Sequence, residues 1–226
     1  MSVEAPVAAQ LVEVAGRRWW IRDQGDLSSL YEVADRQAYF TRRLRPEPGE
    51  RWVDGGANVG AFAVTAAAAG ADVIAYEPWP ESAALARRNL RENELRARVL
   101  EKAIALHGGI ARLGLARGAQ WRHSLRREGG EGFPVPVVAF ADAIDRADGC
   151  KLDIEGAEVE ILQQAGFGSL RKLVLEWHFD WEPATNVYLA VLDRLREHFD
   201  EVSGRKVPPD TDYRWFPPAG IVRCQR

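Results

Sequence analysis

Three short segments place chemically capable side chains at the ends of apolar runs. The first, Val53-Asp54-Gly55-Gly56-Ala57-Asn58-Val59-Gly60, reads as a strand end, a glycine turn and a helix start in direct succession. Glycines let a backbone approach a ligand closely, and the free N–H groups of the following helix favour a carboxylate or phosphate. A bare β–α turn needs glycine too, so this segment alone does not decide. Glu77 adds weight, because it ends the next apolar run at the spacing where an acidic side chain accepts hydrogen bonds from ribose hydroxyls.

The other two segments are Cys150-Lys151-Leu152-Asp153-Ile154-Glu155-Gly156-Ala157-Glu158 and Leu173-Val174-Leu175-Glu176-Trp177-His178. Acids at 155 and 158 fit a capped helix start. Asp153 lies inside an apolar strand, where a carboxylate must find a partner. Side chains alternate along a strand, so Glu176 and His178 share a side, and neighbouring strands would bring them to Asp153. A catalytic set of His178, Asp153, Glu155 and Glu176 follows. His178, with an ordinary pKa of about 6.5, is the natural general base, and the carboxylates orient it or take the proton themselves. A histidine satisfied in the core or facing solvent is the plainer alternative. A divalent metal on the same four residues is the less favoured reading, because no recognised ligand spacing is present, and no metal ligands are assigned.

Between nucleotide-like cofactors, the carboxylate at 77 disfavours NADP. The dinucleotide fingerprint wants glycine at 55, 57 and 60, and residue 57 is alanine. Asp54 suits an ammonium-bearing cofactor better than a pyrophosphate. S-adenosylmethionine is therefore preferred to NAD; an NAD-dependent oxidoreductase and a catalytically silent binding protein stay as alternatives.

The elements that must position these residues alternate strand with helix from Arg51 onward, the order of an α/β fold with a mostly parallel sheet. Strands are expected at 51–54, 72–76, 99–105, 151–154 and 173–177, with helices at 60–69, 80–92, 157–165 and 186–199. A terminal antiparallel pair is expected from 201–207 and 215–224. The glycine- and proline-rich stretch at about 107–138 breaks the rhythm and reads as an insertion: a lid, a binding loop or an appended β element. There His123 and Trp121, with Arg117, Arg122, Arg126 and Arg127, either cover an acceptor or form a solvated loop. Residues 1–50 are read as a hairpin (11–14 with 18–21) and a helix from a capping box at Ser29 to about Phe40, packed on the core of 51–226.

The chain has 226 residues, with 33 acids against 30 bases and a formal charge of -3, so no strong field draws it to nucleic acid or anionic lipid. Cys150 and Cys224 form no zinc or disulfide pattern. No signal peptide or membrane span is read from the sequence. The expectation is a cytoplasmic protein acting on a small-molecule acceptor, with no nucleic-acid or membrane partner and with homodimerisation left open.

The array VDGGANVG, YEPWPES, KLDIEGAEVEIL and LVLEWH resembles the FkbM family of S-adenosylmethionine-dependent methyltransferases over about residues 50–180, and the preceding segment with Tyr39 is similar to that family's N-terminal region. The resemblance implies a class I methyltransferase (Rossmann-like) fold, a mostly parallel seven-stranded sheet with helices on both faces. It also implies O-methylation of a hydroxyl on a sugar, polyketide or other natural product, with S-adenosylhomocysteine as product; N-methylation of a small molecule or peptide is the alternative. Carried over by residue, it sets Asp54, Gly55, Gly56, Asn58 and Gly60 around the methionine part of the cofactor. Glu77 would hold the ribose, Lys102 and Ala103 would edge the adenine, and Asp153 would sit near the sulfonium. Trp79, where a small polar residue is usual, is read as stacking on adenine or as surface packing.

Overall fold

The computed structural model describes residues 8–116, 123–179, 185–204 and 219–226. The N-terminal part comprises β1 (Gln10–Val14), β2 (Arg17–Ile21) and α1 (Gln24–Leu30), which runs on into a π-helical turn over Tyr31–Asp35. Next come β3 (Arg51–Gly55), α2 (Ala61–Ala68), β4 (Asp72–Tyr76), α3 (Pro80–Glu92), β5 (Arg98–Leu100), β6 (Ala103–Ala105) and β7 (Gly109–Gly114). The remainder is β8 (Gly132–Ala139), α4 (Phe140–Ala143), β9 (Gly149–Leu152), α5 (Glu158–Gln164), β10 (Lys172–His178), α6 (Thr185–Arg196), β11 (Glu201–Ser203) and β12 (Ala219–Gln225). Among the described residues no helix is long and apolar enough to cross a membrane.

The main sheet has seven strands in the order β11-β12-β10-β9-β3-β4-β5. β12 runs antiparallel to both its neighbours, and the pairs from β10 to β5 are parallel. Strands β3 and β9 are adjacent but far apart in sequence, and the chain leaves them toward opposite edges. Their carboxyl ends therefore open a crevice, the place where open α/β sheets bind ligands. One face is closed by α5 and α6 over Leu173, Leu175 and Trp177, and the other by α2, α3 and the N-terminal part over Trp52, Val73 and Val174.

Strand 99–105 of the sequence reading is two strands in two sheets. β5 stays in the main sheet, and after Glu101-Lys102 the chain turns away so that β6 pairs in parallel with β8, on whose other side β7 pairs antiparallel. The insertion is thus an appended β element with its own small core of Ala103, Leu113 and Val135. Ser124 clamps it to the β9–α5 turn by donating from Oγ to the Glu155 carbonyl. Of the expected terminal pair, residues 205–207 and 215–218 lie outside the described residues.

The N-terminal helix also differs from expectation. It begins at Gln24, because the Asp23 carboxylate accepts from the N–H groups of Gly25 and Asp26 and so takes the cap, and it ends at Asp35 before the left-handed Gln37 (φ 52°). The hairpin docks on α3, where Asn89 accepts from the Trp20 N–H (2.6 Å) and donates to the Trp20 carbonyl (3.1 Å).

Close packing where β3 meets β9 gives the first prediction. A Cβ on Gly149 would lie 2.3 Å from Cε2 of the buried Trp52, whose indole N–H is fixed on Glu50 (3.0 Å). Overpacking of this kind costs about 1–3 kcal/mol. Gly149→Ala should lower stability by that amount in equilibrium urea unfolding.

Candidate functional site

The crevice is a cavity of about 600 Å³ reaching from Glu77 to His178. Its rim is the glycine turn after β3. Gly56 has φ +73°, and a Cβ there would fall 1.8 Å from the Asp153 carbonyl oxygen, so only glycine fits. The N–H groups of Gly56 and Ala57 both donate to the Tyr76 carbonyl (2.9 and 3.1 Å). From below, Lys151 Nζ donates to the carbonyls of Gly56 (2.7 Å) and Gly55 (3.2 Å) and pairs with Asp54 at 3.2 Å. Burial alone lowers the Lys151 pKa, but Asp54 and then Asp153 more than reverse this, and the ammonium stays charged.

Gly56 and Asn58 line the cavity, whereas Asp54, Gly55 and Gly60 do not. Asp54, expected beside the cofactor, is instead the fully buried counter-ion of Lys151. Gly60 caps α2 in a left-handed conformation (φ +87°) and has no side chain to cap it with, and Ala61 and Phe62 of the first turn line the cavity.

Glu77 accepts from the N–H groups of Asn58 (2.7 Å) and Trp79 (2.9 Å) and faces the cavity. Burial raises its pKa to about 7 against those two hydrogen bonds. Ala103 joins Ile104 and Leu113 in the wall, while Lys102 stays outside it. Trp79 also lies outside: its ring packs edge-on against His123 (4.6 Å between centroids) and against Phe133 (5.6 Å), in the core of the appended sheet. His123 lines the cavity and is held neutral, its pKa pushed down to about 4 by burial and then by Arg22 and Arg127. Arg126 donates to the Gly156 carbonyl (3.3 Å); Arg117, Trp121 and Arg122 are outside the described residues.

At the far end the register does bring Asp153, Glu176 and His178 together, with Glu155 and Tyr39 beside them. The Tyr39 hydroxyl lies 3.1 Å from Asp153 Oδ2 and 3.0 Å from Glu176 Oε2. Its one proton is shared between the two carboxyl groups. Burial first, then the Asp153 charge, raises the pKa of Glu176 to about 8. His178 Nδ1 sits 2.8 Å from Glu158 Oε1. Burial alone would lower the imidazole pKa, but Glu158 first, then Asp153 and Glu155, carry it to about 10. Those carboxylates favour the charged imidazolium, so in this surround His178 is a weaker candidate for the general base than the carboxylates beside it.

Two participants were not assigned a role from the sequence. Lys151 stands in an otherwise apolar strand, and a buried ammonium needs partners; that was the available signal. Glu158 was read only as a helix-start acid, yet from α5 it anchors His178 on β10. Helix α1 and the π-helical turn after it also belong to the site, since Gln24, Gly25 and Ser28 of the helix and Glu32 of the turn line the cavity, and Arg22 ties this part to the glycine turn through Asn58 Oδ1 (3.1 Å).

Sheet order and crevice define the class I, S-adenosylmethionine-dependent methyltransferase class. The Methyltransferase FkbM domain model matches residues 54–202, more than half the sequence, and the chain belongs to that family. The match removes the oxidoreductase alternative. Comparison with curated proteins finds no match. Among solved structures, the fold is similar to the Pyrococcus abyssi tRNA (uracil-54, C5)-methyltransferase in complex with S-adenosyl-L-homocysteine, at 14% identity and TM-score 0.52, over 96% of this chain and 44% of that one. It is also similar to M. jannaschii TYW2 in complex with AdoMet, at 14% identity and TM-score 0.50, over 98% of this chain and 86% of that one. This chain thus spans less than half the length of the first of these.

The raised pKa of Glu77 sets a measurable pH dependence. Unfolded, the group titrates near 4.5, and folded near 7. A raised folded value contributes stability that is full below 4.5 and is lost as pH rises through about 7, on the order of 1–3 kcal/mol. Denaturation of the chain without ligand should show this loss from pH 5 to 8 in the parent relative to Glu77→Gln, whose curve lacks the term.

Proposed function

We propose that the chain methylates a hydroxyl oxygen of a small-molecule natural product such as a sugar or polyketide. The observation that carries this reading is that one cavity joins a ribose-type acceptor, Glu77, to a proton-accepting end, Asp153 with Glu176 and Tyr39. Its volume lies within the range of small-molecule cofactor sites. The donor's chemistry fits the residues present. Glu77 would accept from the two ribose hydroxyls, and Ala103, Ile104 and Leu113 offer an apolar wall for the adenine. The uncapped start of α2 at Ala61 and Phe62 favours the methionine carboxylate.

When bound, S-adenosylmethionine supplies a methyl group on a positively charged sulfur and leaves as S-adenosylhomocysteine. The O–CH3 bond forms as the S–CH3 bond breaks, so the acceptor must be held in line, and positioning is most of the work. Asp153 receives the hydroxyl proton, and Tyr39 and Lys151 fix its Oδ2 at 3.1 and 3.6 Å. The carboxylates favour a hydroxyl over an amine, because they would stabilise the ammonium form, which has no lone pair to alkylate. The same charges oppose a phosphate-rich nucleic acid.

Incubation with S-adenosylmethionine and a panel of hydroxylated acceptors should give products heavier by one methylene in mass spectrometry. Asp153→Asn should lower kcat about 100-fold or more, as loss of a general base does. Methylation confined to amines or RNA, or an unchanged rate in Asp153→Asn, would contradict the reading.

A further inference from the structure

The acidic end of the cavity carries more than a proton acceptor. One oxygen each from Asp153 and Glu176 and one ring nitrogen of His178 lie within 4.8 Å of one another. Donor atoms on an ion bound at about 2.1 Å stand about 3.0 Å apart at right angles and about 4.2 Å apart on opposite sides, so side-chain rotations that draw the three together by about 1–2 Å close the set. His178 supplies a second, independent observation. It is 5% exposed, and Glu158 holds its Nδ1 at 2.8 Å, the outer hydrogen bond that orients metal-binding imidazoles. Its Nε2 is turned into the cluster, 3.7 Å from Asp153 Oδ1 and 3.6 Å from Glu155 Oε2.

We propose that Asp153, Glu176 and His178 form a divalent-cation site at the acceptor end of the cavity, with a mixed oxygen and nitrogen donor set suited to Mn2+ or a similar first-row ion. The two Asp153 oxygens divide the work. Oδ2 is held by Tyr39 and Lys151, and Oδ1 is the one turned toward His178. Lys151 does not pre-empt the cation, since its closer contacts are Asp54 and the carbonyls of the glycine turn. A bound ion relieves the repulsion among the carboxylates gathered there. Its chemical use rests on the proposed function: it would draw in the acceptor hydroxyl and acidify it beside Asp153. The site itself rests on geometry alone.

The test uses the full chain stripped of metal and titrated with Mn2+, with the free ion followed by its electron paramagnetic resonance signal. One equivalent should vanish from the free signal, and Glu176→Gln and His178→Gln should each weaken retention at least tenfold. Circular dichroism and a cooperative thermal transition on Glu176→Gln show that the variant is folded. No retention by the parent, or parent-like retention by a folded Glu176→Gln, overturns the cation site. Retention of Mn2+ by a parent that ignores S-adenosylhomocysteine supports the cation site and removes the donor reading instead.

Discussion

The buried contact between Lys151 and the glycine turn is the constraint on which the site depends. An ammonium with almost no exposure is tolerated there only because Asp54 neutralises it and two turn carbonyls accept from it. Breaking such a pair by removing one partner costs about 3–5 kcal/mol, because the other charge is left buried and alone. The result is a turn whose shape is set from beneath, by the neighbouring strand β9. Asp153 follows directly on that strand, so the rim at one side of the cavity and the carboxylate at the other are fixed by the same two strands.

The appended elements complete the enclosure. The hairpin and α1 reach the turn through Arg22 and Asn58, and the extra sheet reaches the β9–α5 turn through Ser124 and Arg126. Tyr39, brought in from the N-terminal part, spans the two carboxylates that end neighbouring parallel strands. None of these contacts lies within the sheet. The sheet opens the crevice, and the additions wall it.

Legibility in the sequence follows the range of the interactions. Local signals served well: Pro80 at the first turn marked α3, and the expected span 80–92 is the observed one. Alternation in β10 put Glu176 and His178 on one side, and strand adjacency then brought Asp153 to them. Competition between distant groups was not legible. The Ser29 capping box lost to Asp23, and the continuous run 99–105 hid a change of sheet at Glu101-Lys102. Trp79 reads as an adenine platform until a partner 44 residues on, His123, claims its ring. The charge of His178 was out of reach for the same reason, since it depends on how many carboxylates the fold crowds around one ring. Ligand spacing along the chain likewise says little about a cation site assembled from two strand ends.

The most direct test is calorimetry of S-adenosylhomocysteine binding to the parent and to Gly56→Ala, with circular dichroism as the check on folding. A methyl group at 56 must displace the Asp153 carbonyl, which would lie 1.8 Å away, so the account predicts clear binding by the parent and none by a folded variant. Equal binding by the two proteins, or no heat from the parent, would contradict it.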